Sequence, residues 1–351
     1  MRKQKYALFA VLTASVLLAV GYSTRATAAD QIDLAALKTF APLPDVVPGG
    51  SGAPTEEQIS LGRMLYFDPR ISKSQTISCN SCHPLAKYGV DGQATSEGYQ
   101  GQHGDRNAPS VYNAAGHFAQ FWDGRAADVE EQAKGPVRNP VEMAMSSEQE
   151  VAALLRSMPE YVQAFQRAFP KDPEPVCLDN MGIAIGAFER KLLTPGRWDK
   201  FLQGDQAALA AREKSGLREF LSAGCQGCHS GPFLGGASFQ KLGVAKPYPD
   251  SSDPGRYKVT QSEADRMFFK VPSLRNVAMT GPYFHDGKVT SLREAVARMA
   301  EYQRGRALSE RQVENIVTWL GALTGDIPVD YIKEPPLPKS TSTTPKPETG
   351  D

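Results

Sequence analysis

Residues 78–89 read SCNSCHPLAKYG, and residues 224–233 read GCQGCHSGPF. Each holds Cys-x-x-Cys-His: Cys79, Cys82 and His83 in the first, Cys225, Cys228 and His229 in the second. This is the pattern of covalent haem attachment, in which two thiols add to the vinyl groups and the histidine ligates iron from one side. The chain has five cysteines. Four serve the two motifs, and Cys177 is read as a small buried hydrophobe without chemistry. A zinc site would need both cysteine pairs to close on one ion; the adjacent histidines and the 146-residue separation speak against that. Two attached haems therefore set the architecture, because each supplies much of a core.

Working outward, the start of the chain indicates the compartment. Arg2, Lys3 and Lys5 precede an apolar run over Tyr6–Val20, no acid comes before Asp30, and Ala26-Thr27-Ala28 forms a small-x-small cleavage site. This predicts a secretory signal peptide over residues 1–28 and export to the periplasm. No other apolar run approaches membrane-spanning length. Without Arg2, Lys3, Lys5 and Arg25, the 39 basic residues fall to 35 against 39 acidic ones, which gives no reason to expect a nucleic-acid partner.

The remaining pattern is helical. Thr55-x-x-Gln58, Ser147-x-x-Glu150, Ser291-x-x-Glu294 and Ser309-x-x-Gln312 read as capping boxes, with apolar residues at helical spacing behind them. Residues 179–193 and 207–223 also read as helices. Proline and glycine punctuate long loops over 89–109 and 231–254. The expected fold is mainly α: two cytochrome c-like haem domains with long loops, residues 29–194 and 195–333, the end of the second reaching back to the first. The tail 334–351, rich in Pro, Ser, Thr and Lys, is expected to be disordered.

The sixth iron ligand separates an electron-transfer haem, filled by methionine, from a reactive one left open. Besides the motif histidines only His103, His117 and His285 remain. Here the chain resembles the bacterial dihaem cytochrome c peroxidases, over about Leu61 to Gly325. The matching stretches are LGRMLYFDPRIS, ISCNSCH, RNAPSVYNA, FWDGRAADVEEQAKGPV, NPVEM, GCQGCHSG, PSLRNVAMTGPYFHDG and SLREAVARM.

The resemblance implies an enzyme that reduces hydrogen peroxide to water with electrons from a small c-type cytochrome or cupredoxin, and a homodimer. It implies that Met299, fourteen residues after His285, is the axial partner of His229 on the electron-accepting haem. On periodicity alone Met299 is a core residue. Glu142 matches the acid–base glutamate of the peroxidatic pocket, with Gln132 and Phe121 as its neighbours, and Trp122 matches the tryptophan between the haems. Asn107, Thr280 and Pro282 match the positions that hold a calcium ion, the last two through backbone carbonyls. His117 and His285 match no ligand.

One position departs from the family. Where well-known members place a histidine that caps the peroxidatic iron, counting back from Asn107 and Trp122 reaches Tyr99, and the nearest histidine is His103. Three readings stay open: a Tyr99 phenolate ligates iron, His103 reaches it through a changed loop, or neither binds and the first haem is open. Two other functions compete with peroxide reduction. A dihaem protein-oxidising enzyme would carry tyrosine in place of Met299, and a plain dihaem electron carrier would have no use for Glu142.

Overall fold

The computed structural model describes residues 31–49 and 52–348; the expected signal peptide, residues 1–28, lies outside them. The first half contains α1 (Glu56–Phe67), the haem-motif turn α2 (Cys79–Cys82), α3 (Val129–Arg138), α4 (Glu148–Arg156), α5 (Pro159–Ala168) and α6 (Leu178–Glu189). The α1 helix starts in a complete capping box: Gln58 N donates to Thr55 Oγ1 at 3.2 Å, and Thr55 N donates to Gln58 Oε1 at 3.0 Å. It then crosses α6 at Gly62, where a Cβ would lie 1.8 Å from Ala184 O. Only glycine lets the two backbones touch, and the contact brings Leu61, Leu65, Met181, Ile185 and Phe188 into one buried core.

The second half repeats the device. It contains α7 (Arg197–Leu202), α8 (Ala211–Ser222), α9 (Tyr257–Thr260), α10 (Leu292–Arg304) and α11 (Glu310–Gly321). The α8 helix crosses α11 at Gly216, whose Cβ would lie 1.9 Å from Asn315 O. Trp198, Phe201, Leu217, Phe220, Ile316 and Trp319 fill this second core. In each half the first helix of the crossing pair leads into a Cys-x-x-Cys-His turn. The long loop between the second turn and α10 holds a two-stranded antiparallel ribbon, β1 (Phe239–Lys241) and β2 (Phe268–Lys270), with Phe239 opposite Lys270.

Ser147 and Ser309 cap their helices with side-chain bonds, whereas Ser291 makes none and α10 starts without that help. Ile32, Leu37 and Phe40 pack in the second core, with Phe40 edge-on to Trp198 at 5.5 Å, so this segment is not part of the first core as the 29–194 grouping expected. Ile327, Tyr331 and Ile332 pack on the first core, where Tyr331 stacks on Phe188 at 5.0 Å. Residues 334–348, expected to be disordered, lie along the first half. Arg70 Nη1 donates to Ser340 Oγ, Gln75 Nε2 to Pro345 O, and Glu348 N to Lys73 O. Their physical basis is that an extended chain without internal hydrogen bonds leaves its backbone and side-chain polar groups free for such bonds. From Ile32 onward the chain forms one compact unit, and no helix among the described residues is long and apolar enough to cross a membrane.

Candidate active site

Each haem motif folds as a tight turn that aims its histidine. In the first, Ser78 N donates to Ser81 Oγ at 3.0 Å and His83 N to Cys79 O at 2.9 Å. In the second, Gly224 takes φ 75°, which ends the approach from α8, and His229 N donates to Cys225 O at 3.0 Å. His83 Nδ1 lies 3.2 Å from Gly89 O, and His229 Nδ1 lies 3.1 Å from Leu234 O. A backbone carbonyl thus takes the Nδ1 proton of each imidazole and leaves Nε2 as the lone-pair nitrogen. Burial lowers both histidine pKa values and so favours the neutral, ligating form.

All four motif cysteines are unpaired. Burial raises the Cys82 and Cys225 thiols to about 11, so they are not thiolates poised for metal exchange. Cys79, Cys82 and His83 line a cavity of about 720 Å³, a volume typical of cofactor sites. Free thiols, an available Nε2 and a roomy, mostly apolar cavity fit covalent haem.

The same cavity gathers residues from distant parts of the chain. Glu142, Gln132, Phe121, Trp122 and His103 all line it. Burial raises the Glu142 pKa, while Arg125 and the Asn139 side chain pull it back. Arg125, which sequence reasoning missed, sits 3.4 Å from the centroid of the Phe121 ring and is held by Asp123 at 3.1 Å. Its signal was the arginine of FWDGR, but nothing in the spacing says that the side chain turns back over Phe121. Glu189 on α6 also lines the cavity; burial beside Glu130 pushes it up to about 8.

Trp122 Nε1 donates to Asn107 O at 2.9 Å. Its ring packs against a small cluster of Leu242, Tyr248, Met267 and Phe269, and Met299 packs against the same cluster. The structure therefore brings Met299 and Trp122 to one apolar patch between the two halves. The two candidate distal residues part company. His103 lines the cavity with Nδ1 3.0 Å from Thr95 O. Tyr99 is not among the lining residues; Gln100 Nε2 donates to its hydroxyl at 3.3 Å and Lys73 lies 6.0 Å from its ring centroid.

Asn107, Thr280 and Pro282 line the cavity as well. Asn107 Nδ2 is committed to Gln93 O at 2.9 Å and Ala94 O at 3.3 Å, which leaves its Oδ1 for a cation. Among the described residues no group of three His, Cys, Asp or Glu could hold a metal. An ion here would rest on amide and carbonyl oxygens, a donor set compatible with calcium. Cys177 caps α6, its Sγ 3.5 Å from Asn180 N, and is half-buried. His285 stacks on Phe269 at 4.3 Å.

Two crossed-helix cores, each with its own haem-attachment turn, define a two-haem c-type cytochrome. Comparison with known proteins narrows this. The sequence profile of the di-haem cytochrome c peroxidase family matches residues 56–207. The chain is 46% identical over 338 residues to the cytochrome c551 peroxidase of Pseudomonas aeruginosa, covering 94% of this chain and 96% of that one. It is 46% identical over 316 residues to the cytochrome c551 peroxidase of Nitrosomonas europaea, covering 89% and 91%. Among solved structures, a MauG-like protein associated with microbial copper homeostasis superposes with TM-score 0.73 at 27% identity, covering 84% of this chain and 97% of that one. The chain belongs to the di-haem cytochrome c peroxidase family. It is an oxidoreductase that carries two haems c.

Proposed function

We propose that the protein is a periplasmic peroxidase that reduces hydrogen peroxide, with two electrons and two protons, to two waters. The electrons come singly from a small c-type cytochrome or a cupredoxin, and the protein works as a homodimer. The carrying observation is Glu142: a largely buried carboxyl in the wall of the cavity that also holds His83.

When bound, the first haem supplies an iron that holds peroxide and furnishes electrons for breaking the oxygen–oxygen bond. The chain's own residues do the rest. His83 presents Nε2 to that iron. Glu142 takes the proton from one peroxide oxygen and returns it to the other, so that the leaving group departs as water. Arg125 steadies the charge of Glu142 between these transfers, while Phe121 and the apolar wall exclude bulk water. Gln132 orients the peroxide. Trp122 links this cavity to the cluster around Met299, and Met299 and His229 would hold the iron of the second haem, which would accept the electrons. Asn107, Thr280 and Pro282 would hold a calcium ion through oxygen ligands. Residues 29–194 form the peroxidatic domain and 195–333 the electron-transfer domain, with the segment around Phe40 docked on the latter.

The test is Glu142→Gln in the two-haem protein. Both haems and their spectra should be retained, and peroxide turnover with a reduced donor cytochrome should fall by roughly a hundred- to ten-thousandfold. Turnover within about twofold of wild type would remove Glu142 from the reaction.

A further inference from the structure

Lys270 ends β2, and its ammonium is buried. Among the described residues its side chain has a single hydrogen-bond partner, His117 Nδ1 at 3.3 Å, and no carboxylate pairs with it. Burial alone pulls its pKa down to about 7. With Nδ1 accepting from Lys270, the neutral imidazole of His117 carries its proton on Nε2. That Nε2 is buried and has no acceptor. Two buried donors thus stand together without an acid.

Burying a cation without a counter-charge is strongly unfavourable. The neighbouring cations show how this chain avoids it. Arg275 is forked on Asp199 at 2.8 and 2.9 Å, and Arg106 on Asp253 at 2.6 and 2.9 Å. Lys270 and His117 differ from these neighbours, and both line the cavity that holds Cys79, Cys82 and His83. Their position is also specific. Lys270 N donates to Trp122 O at 2.8 Å, and the next residue's carbonyl accepts from Gly236 N at 2.8 Å, in the loop just beyond His229. The pair therefore stands where the two haem sites meet.

We propose that Lys270 and His117 form an anion site that anchors a haem propionate at the junction of the two haems. The inference rests on the two-haem reading above. A propionate is a carboxylate attached to the haem edge, so it can enter a pocket lined by donors while the ring stays among apolar side chains. It would accept from Lys270 Nζ and from His117 Nε2–H and satisfy both. The anchored cation then stabilises the electron added to that haem, because a charge in a poorly solvated site acts at full strength.

The experiment is a potentiometric titration of both haems in Lys270→Met and Lys270→Arg. Two covalent haems per chain are first counted in the wild-type protein; a lower count would overturn the two-haem reading rather than this inference. In Lys270→Met, loss of the cation should shift the one-electron equilibrium of one haem about tenfold towards the ferric form, a fall of about 59 mV. Lys270→Arg should stay within about threefold of wild type. Both potentials unchanged in Lys270→Met would overturn the proposal. Wild-type holoprotein provides a check that needs no variant: its crystal structure should place a propionate oxygen within hydrogen-bond distance of Lys270 Nζ. A propionate directed elsewhere would overturn the proposal equally.

Discussion

By resemblance to the family Tyr99 falls at the position of an iron-capping histidine, and identifiable bonds fix its loop beside the cavity without Tyr99 lining it. Tyr99 N donates to Glu142 O at 2.8 Å, Gly98 N to Gln102 O at 2.7 Å, and Gly101 N to Gly98 O at 3.1 Å. Gly98 packs so closely on Val141 that a Cβ would lie 2.0 Å from its carbonyl oxygen. A loop movement that carries the Tyr99 backbone into the cavity would break at least the first two bonds. At about 0.5–1.5 kcal/mol each, closure costs roughly 1–3 kcal/mol, or about 5- to 150-fold in population. A neutral phenol gives little in return as an iron ligand.

The first haem of the fully oxidised protein should therefore be high-spin and should bind peroxide without prior reduction of the second. Electronic and EPR spectra of the oxidised protein, with single-turnover peroxide mixing before and after half-reduction, measure both. Tyr99→Phe should leave the spectrum unchanged. Tyr99→His should yield a low-spin resting state that needs reduction first, provided that iron–imidazole bonding exceeds the closure cost. A low-spin first haem in the oxidised wild type would refute this reasoning. If His103→Ala then turned it high-spin, the cap is His103, which already lines the cavity with its Nδ1 on Thr95 O.

Two further outcomes follow from the second half of the molecule. Met299→His should keep both haems attached but lower the potential of the second, since imidazole favours ferric iron more than thioether does; unchanged potentials in a redox titration would return Met299 to the core. Asp199→Ala should destabilise the fold by about 3–5 kcal/mol, because it strands the buried Arg275 guanidinium. A loss of less than a third of that, obtained from the urea midpoint shift multiplied by an unchanged slope, would show that Arg275 finds another partner.

Sequence alone settled what is local. The two Cys-x-x-Cys-His turns are legible because thiols and imidazole must be adjacent in the chain to grip one haem. The starts of α1, α4 and α11 are legible because a cap and its first turn lie within four residues. Matching motifs likewise pointed to Glu142, Gln132, Phe121 and Trp122, which the fold does gather around one cavity. Tertiary structure decided what depends on distant partners. Arg125 over Phe121, Tyr99 held off the cavity while His103 lines it, Phe40 in the second core and the tail along the first all depend on which surfaces meet. Lys270 and His117 are 153 residues apart, and either alone would pass for a surface residue. Only packing reveals that Lys270 and the Nε2 of His117 are buried and lack an acid, because desolvation is a property of the assembled site and is not encoded in any short stretch of chain.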